Sequence, residues 1–164
     1  MGVFSLSLQI GTMLEVDDAE ANSFVQEFLS HTEDIDGLGI FQNNSLVALP
    51  MFIPGFGIIY GAYAAWSTGY GFAAILSMAP GLAEIHPLSL LYLSPFGLME
   101  LVAYSIAMSR GFHIAYTLFK RFNLKSLIKP TVIEIGIVVA ILFAGGILEE
   151  YMIALSTQGA SLFG

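Results

Sequence analysis

Long apolar stretches that carry almost no charge are the feature that most constrains this chain. The clearest covers residues 131–155, whose only charged side chains are Glu134, Glu149 and Glu150. A helix of about 20 apolar residues spans the roughly 30 Å hydrocarbon core of a bilayer. Of the 164 residues, 56% are hydrophobic and 11% charged, whereas soluble domains carry roughly a quarter charged residues. The sequence therefore predicts an all-α membrane helix bundle.

Four clear transmembrane helices are predicted within a single integral membrane domain, residues 1–164. They cover residues 40–66, 70–84, 88–109 and 131–155. Residues 1–14 are apolar and uncharged, but at 1.5 Å per residue they reach only about 21 Å. They predict a retained, short first span, or the end of a span that starts upstream.

Residues 17–30 predict an amphipathic helix outside the bilayer. Asp17 and Glu20 have the spacing of a capping box at its start. Apolar residues then recur at the period of one helical face, and the opposite face is polar. The apolar stripe consists of Ala21, Phe24, Val25, Phe28 and Leu29. We expect the stripe to pack back onto the spans; docking of a partner protein is the alternative.

The distribution of charge predicts an orientation in the membrane. All 5 basic residues lie between Arg110 and Lys129, whereas 8 of the 13 acidic residues lie between Glu15 and Asp36. Because cytoplasmic loops are enriched in Lys and Arg, the basic loop, residues 110–130 with its charges at 110–129, is expected to be cytoplasmic. The acidic helix 17–30 and the C-terminus are then extracytoplasmic. So few basic charges between apolar spans argue against nucleic acid as a partner.

Small residues recur every fourth position in three places, which favours close packing of helices in lipid. The first ridge is Gly57, Gly61, Ala65 and Gly69; the second is Ala103, Ala107 and Gly111; the third is Gly136, Ala140 and Ala144. Glu100 and Gly97 lie near the second ridge on the same helical face. Gly57, Gly61, Gly97, Ala107 and Gly111 are therefore predicted to be helix-packing positions.

Glu100 stands inside the predicted span 88–109 and raises the question of what holds it there. An acid at mid-span costs about 2.5–3.5 kcal/mol on insertion scales, so we expect Glu100 to be uncharged and hydrogen-bonded. Pro50 and Pro54 free the carbonyls of Leu46 and Pro50 as acceptors. With Asn43 and Asn44, Glu100 is predicted to form an intramembrane polar clamp. A proton relay is the less favoured alternative.

Several kinds of chemistry have no sequence signal in this chain. There is no Cys, so disulfides and thiolate metal sites are excluded. No Gly-rich phosphate loop, nucleophile elbow or His pair at helical spacing is present. We therefore predict no catalytic residues, no metal site and no cofactor, and the isolated chain is not expected to be an enzyme.

Three stretches carry a resemblance to the stage II sporulation protein M family. The stretch FQNNSLVALPMFIPGFGIIYGAYAAWSTGYGF resembles the second span of that family, in which an Asn pair opens the helix. LYLSPFGLMELVAYSIAMSRG is similar to its Pro-His-Gly-x-x-Glu segment, with Phe96 in place of the His. ILEEYMIAL resembles its last helix, and the acidic helix fits archaeal members. The resemblance implies a five-helix membrane protein and no particular chemistry.

These observations predict a non-catalytic membrane subunit that scaffolds or stabilises a larger membrane protein complex. The expected partners are lipid and other integral membrane subunits in a hetero-oligomer. A narrower expectation is an accessory subunit of an archaeal membrane monooxygenase such as ammonia monooxygenase. The alternative is a component of a homo-oligomeric transporter or channel, because the Pro- and Gly-broken spans could line a cavity.

Overall fold

The computed structural model describes residues 1–32, 35–78, 86–121 and 123–162, and this part of the chain is all-α with no strand. Its helices are α1 (Gly2–Thr12), α2 (Asp18–Thr32), α3 (Gly37–Ala48), α4 (Phe56–Met78), α5 (Pro87–Leu93), α6 (Pro95–Phe119) and α7 (Lys125–Leu162). A 3₁₀ turn, Leu49–Phe52, follows α3. The all-α class predicted from the sequence is confirmed.

The boundary predicted between spans 40–66 and 70–84 is wrong. Residues 67–70 lie inside α4, where the Thr68 hydroxyl donates to the Ala64 carbonyl at 2.9 Å. The chain breaks earlier, at the 3₁₀ turn and the residues that follow it, because Pro50 and Pro54 cannot donate backbone hydrogen bonds. Gly55 completes the break with a left-handed φ of 76°. The end of the predicted span 70–84 lies outside the described residues.

The boundaries of the predicted basic loop, residues 110–130, are also wrong. α6 continues to Phe119 and α7 begins at Lys125, so the connection between them is short. Arg121 takes a left-handed φ of 54° there. The predicted span 88–109 is divided at Ser94, whose side chain accepts from the Gly97 amide and caps α6. Pro95 occupies the first turn of α6, where its missing N–H costs nothing.

Close packing joins the helices around a small-residue core. Gly57 and Gly111 both lie against the Met51 carbonyl of the 3₁₀ turn, and Gly61 lies against Met108. α6 and α7 form a hairpin, and α3 packs on α7, where Gly37 and Gly146 bring the two backbones together. Close backbone approach of this kind is typical of helices that pack in lipid. Large buried side chains such as Leu8, Met51 and Leu101 fill the rest of the core.

α1 and α2 both pack against α4. Gly11 and Gly69 allow the backbones of α1 and α4 to touch. α2 lies on the second half of α4 with Ala21 fully buried, and the Phe24 ring meets Tyr70 edge-on at 6.1 Å. The side chains of Phe28 and Leu29, the rest of the predicted stripe, lie outside the described part of the chain.

α7 is the helix in the described residues that is long and apolar enough to cross a membrane. Its segment Lys125–Leu155 has a mean hydropathy of 2.4 over its most apolar window. Most of this window is not buried by the rest of the protein. No other helix within the described residues meets the same criteria of length and hydropathy.

Candidate functional site

A cavity of about 410 Å³ opens between the helices on the side of the bundle formed by α1, α3, α4, α5 and α6. Phe4 and Leu8 of α1, with Leu91 of α5, give it an apolar wall. Its polar side chains come from three helices: Asn43, Asn44, Ser67, Thr68, Glu100 and Tyr104. Three polar helical faces therefore converge on one partly open cavity.

A chain of hydrogen bonds links α3 to α6 at this cavity. The buried Tyr104 hydroxyl donates to Asn44 Oδ1 at 3.0 Å, and Asn44 Nδ2 donates to Glu100 Oε1 at 2.7 Å. Tyr104 and Glu100 are one helical turn apart on α6, so both reach the same amide. The Asn44 side chain is thereby held in one orientation, with its donor aimed at the carboxyl group.

Local sequence places both helices of this network. Asp36 caps α3 by accepting from the Gly39 amide at 2.8 Å, which fixes the start of the helix that carries Asn44. Ser94 caps α6 in the same way, six residues before Glu100. Phe4 of α1 stacks on the Tyr104 ring with centroids 5.4 Å apart. The tyrosine is therefore held by packing on one side and by hydrogen bonding on the other.

The residues of the predicted clamp have different positions in the structure. Asn44 bonds to Glu100, whereas Asn43 lines the cavity from a more exposed position. The carbonyl of Pro50, proposed as an acceptor for Glu100, instead accepts from the Ile53 amide at 3.0 Å. The 3₁₀ turn uses that carbonyl internally, because a 3₁₀ turn closes hydrogen bonds between residues three apart. Glu100 accordingly accepts from a side-chain amide.

The predicted helix-packing residues are all buried. Gly57, Gly61 and Gly111 lie between helices, and Ala107 is fully buried on α6. Gly97 has a different neighbour, since a Cβ there would lie 2.5 Å from Ser94 Oγ and 2.8 Å from the Leu91 carbonyl. It permits the tight joint between α5 and α6.

The third ridge differs from the other two. Gly136, Ala140 and Ala144 are exposed on α7, and a Cβ built at Gly136 has nothing within 4 Å in the described part of the chain. The inner face of α7 carries the buried residues Val138 and Leu142. α7 therefore presents a face of small side chains outwards.

An ion pair between α6 and α7 was missed by the sequence analysis. Arg110 and Glu134 form a two-point contact, with Arg110 Nε donating to Glu134 Oε2 at 2.6 Å and Nη2 donating to Oε1. Arg110 is nine residues before α6 ends at Phe119, and Glu134 nine residues after α7 begins at Lys125. Because both residues lie the same number of positions from the connection between the two helices, a predicted helix hairpin could have paired them from the sequence. Arg110 is thus part of the bundle and not of a loop.

Two further residues, Tyr104 and Glu149, were not singled out as site residues from the sequence. Tyr104 was not among the residues predicted for the clamp, although its hydroxyl donates to Asn44. Glu149 of α7 is partly buried. No group of three or more metal-ligating side chains occurs in the described ranges of the chain.

The sequence profile of stage II sporulation protein M matches residues 1–153. The chain belongs to the stage II sporulation protein M family. The resemblance inferred from the sequence is thereby confirmed, and it places this protein in a membrane-associated family. Comparisons with curated proteins and with solved structures returned no match. Membership of the stage II sporulation protein M family indicates association with a membrane, but it does not identify a ligand for the cavity.

Proposed function

We propose that this protein is a non-catalytic, multi-pass membrane subunit that stabilises a larger membrane protein complex. The observation that carries the proposal is the open third ridge on α7. In lipid, small residues on a helix surface promote association because they let another helix approach closely. The first and second ridges are covered within the chain, so the third is the one available to a partner.

The proposed orientation places the α6–α7 connection in the cytoplasm and α2 outside the cell. Lys120, Arg121, Lys125 and Lys129 lie on or beside that connection, and α2 starts with Asp18 and Glu20 in its first turn. The distribution of Lys and Arg favours this arrangement over its inverse.

Site-directed labelling tests the orientation cleanly, because the chain contains no Cys. Ser126→Cys lies exposed in the first turn of α7, beside the basic connection, and Ser23→Cys lies on the exposed face of α2. In intact cells, a membrane-impermeant maleimide should label Ser23→Cys and should reach Ser126→Cys only after lysis. The reverse pattern would contradict the proposed topology.

Composition of the native particle tests the subunit proposal directly. The protein should be extracted in mild detergent, its particle mass measured and its companions identified by mass spectrometry. Different proteins in fixed ratio are expected. An archaeal membrane monooxygenase, such as ammonia monooxygenase, is the narrower form of the proposal, and its subunits would appear among the companions. A lone monomer would refute the subunit proposal.

A matched pair of substitutions tests whether the native particle assembles through the third ridge of α7. Gly136→Leu places a bulky side chain on the third ridge, and Gly2→Leu does the same at another position where a Cβ meets nothing within 4 Å. The first should release the partner proteins and the second should retain them. Retention of partners by both variants would show that the complex does not use this face.

A homo-oligomeric transporter or channel is the second candidate, and the cavity beside Glu100 is the observation that favours it. An ionisable residue facing a cavity inside a membrane bundle is a common feature of ion and substrate pathways. A native particle that contains only copies of this chain, together with ion or solute flux in reconstituted liposomes, would replace the subunit proposal with this one.

A further inference from the structure

We propose that the cavity beside Glu100 binds a small organic cation, with the carboxylate as counter-ion and aromatic rings around the cationic group. This inference is independent of the subunit role, because the cavity and the third ridge lie on different helices. Three properties of the cavity carry it: the sign of its charge, the free oxygen of its carboxyl group, and the aromatic side chains of its wall.

The cavity has an acidic group and no basic one. Glu100 is the charged residue among those that line it, and no Lys, Arg or His contributes to the wall. Arg110, ten residues further along the same helix, is occupied by its two-point contact with Glu134. An ionised Glu100 therefore has no protein counter-ion in the described part of the chain, and a cationic ligand would supply one.

The carboxyl group is oriented with one oxygen available. Asn44 donates to Glu100 Oε1 at 2.7 Å and is itself fixed by Tyr104. Oε2 has no hydrogen-bond partner among the described residues. A fixed carboxylate with one unoccupied oxygen can accept from an ammonium N–H, or attract a quaternary ammonium by charge alone.

Aromatic rings complete the wall. Phe4, Tyr60, Tyr63 and Tyr104 come from three helices and all contribute to the lining. Organic cations are attracted to aromatic faces by the ring quadrupole, and the attraction increases when water is excluded. A volume of about 410 Å³ is at the small end of ligand pockets. A small alkylammonium ion therefore fits both the chemistry and the size.

Hard metal ions fit this lining less well. Ca²⁺ takes six to eight oxygen ligands and Mg²⁺ requires octahedral geometry. The cavity offers a single carboxylate, and the amide oxygen of Asn44 is already engaged by Tyr104. The wall is instead dominated by rings and apolar side chains, which favours an organic cation.

The test uses the purified full chain in detergent, with choline chloride as the cationic probe. Its neutral isostere 3,3-dimethyl-1-butanol and sodium chloride at the same ionic strength are the controls. Choline should raise the midpoint of thermal unfolding and give a saturable heat of binding by calorimetry, whereas the two controls should not. Equal effects of choline and of either control would overturn the proposal.

Variants locate the binding. Glu100→Gln keeps the shape of the side chain and an acceptor for Asn44 but removes the charge, and it should weaken choline binding about tenfold or more. Glu15→Gln removes an exposed acid outside the cavity and should bind as the parent does. Unchanged affinity in Glu100→Gln would refute the site.

Tyr63→Ala provides a second test that does not disturb the hydrogen-bond network. The Tyr63 side chain is largely exposed, at 61%, so its removal should leave the fold intact. Loss of one cation–π partner should weaken choline binding several-fold. Wild-type affinity for choline in Tyr63→Ala would contradict the proposal that aromatic rings surround the cationic group. Retention of partner proteins is measured separately, so failure of this site and failure of the subunit role are distinguishable.

Discussion

The first and third ridges have the same sequence pattern but opposite environments. Gly57, Gly61, Ala65 and Gly69 are all buried, and at Gly69 the backbone of α1 occupies the space that a side chain would need. Gly136, Ala140 and Ala144 lie on the exposed face of α7. A small residue at every fourth position marks a helix face suited to close approach. It does not identify which helix approaches, or whether that helix belongs to the same chain.

The two faces of α7 make the contrast within a single helix. Glu134 and Val138 point towards α6, where they meet Arg110 and the core, while Gly136 lies about 200° away around the helix. α7 is therefore attached to the bundle by the side that carries Glu134, Val138 and the close-packed Gly146, and the side with the third ridge is left open. Substitutions on the closed and on the open helix faces should therefore have different effects on stability and on association with other subunits.

Gly69→Ala is expected to have the largest effect. A Cβ at this position would fall on the Leu8 carbonyl and within 3.0 Å of the Thr12 amide nitrogen, both of which are backbone atoms of α1. Because backbone cannot move aside as a flexible side chain can, the free energy of unfolding should fall by about 3 kcal/mol or more. Thermal unfolding of the purified protein, followed by circular dichroism, measures the change.

The surface glycine Gly2 is the control for that experiment, since nothing lies within 4 Å of a Cβ placed there. Gly2→Ala should unfold at the temperature of the parent. If Gly69→Ala is equally well tolerated, α1 and α4 do not pack through their backbones, and the distinction between closed and open ridges fails.

Asn44→Leu tests whether the closed faces depend on polar contacts as well as on glycine. The substitution removes the acceptor of the buried Tyr104 hydroxyl and the donor to Glu100. Leaving a buried polar group without a partner costs about 1–3 kcal/mol, and the cost is lower for Glu100 because it is only partly buried, so a loss of about 2–4 kcal/mol in unfolding free energy is expected. Chemical denaturation in mixed micelles measures it.

Glu100→Leu is the companion variant, because it leaves only the Asn44 amide without its acceptor. A smaller loss, about 1–3 kcal/mol, is expected, and Glu100→Gln should recover most of it. Unchanged stability in Glu100→Leu would show that the Asn44–Glu100 hydrogen bond does not stabilise the packing of α3 on α6.

Sequence reasoning recovered the helical class and the family, because each depends on a local period or composition. It placed the helix break incorrectly at residues 67–70, since Ser, Thr and Gly there resemble a turn. In the structure, Thr68 bonds back to Ala64 and Gly69 packs on α1. The clamp of Glu100 with Asn43 and Asn44 was predicted to include a proline-freed carbonyl, but the Pro50 carbonyl bonds within the 3₁₀ turn and Asn44 donates to Glu100. Which polar groups meet depends on how helices are rotated against one another, and no local pattern encodes that rotation.

Arg110→Leu tests the attachment of the inner face of α7. The ion pair is partly buried, with side-chain exposures of 13% for Arg110 and 28% for Glu134. Loss of Arg110 leaves Glu134 without its partner, and partial contact with water limits the expected destabilisation to about 1–2 kcal/mol. The double variant Arg110→Leu with Glu134→Leu should restore much of the loss. A double variant as unstable as the sum of the single variants would show that the two side chains contribute independently.

Gly136→Ala is expected to have the smallest effect on the isolated protein. Its Cβ meets nothing in the described chain, and Ala favours helix over Gly by about 1 kcal/mol at most, so unfolding should be unchanged or slightly harder. Destabilisation as large as that of Gly69→Ala would mean that the third ridge is closed within this chain.

In the native membrane, Ala still permits close approach of another helix, whereas Leu at the same position does not. Retention of partner proteins by Gly136→Ala and their loss from Gly136→Leu would therefore show that the third ridge acts by steric fit, because both substitutions remove the same glycine and only the size of the added side chain differs.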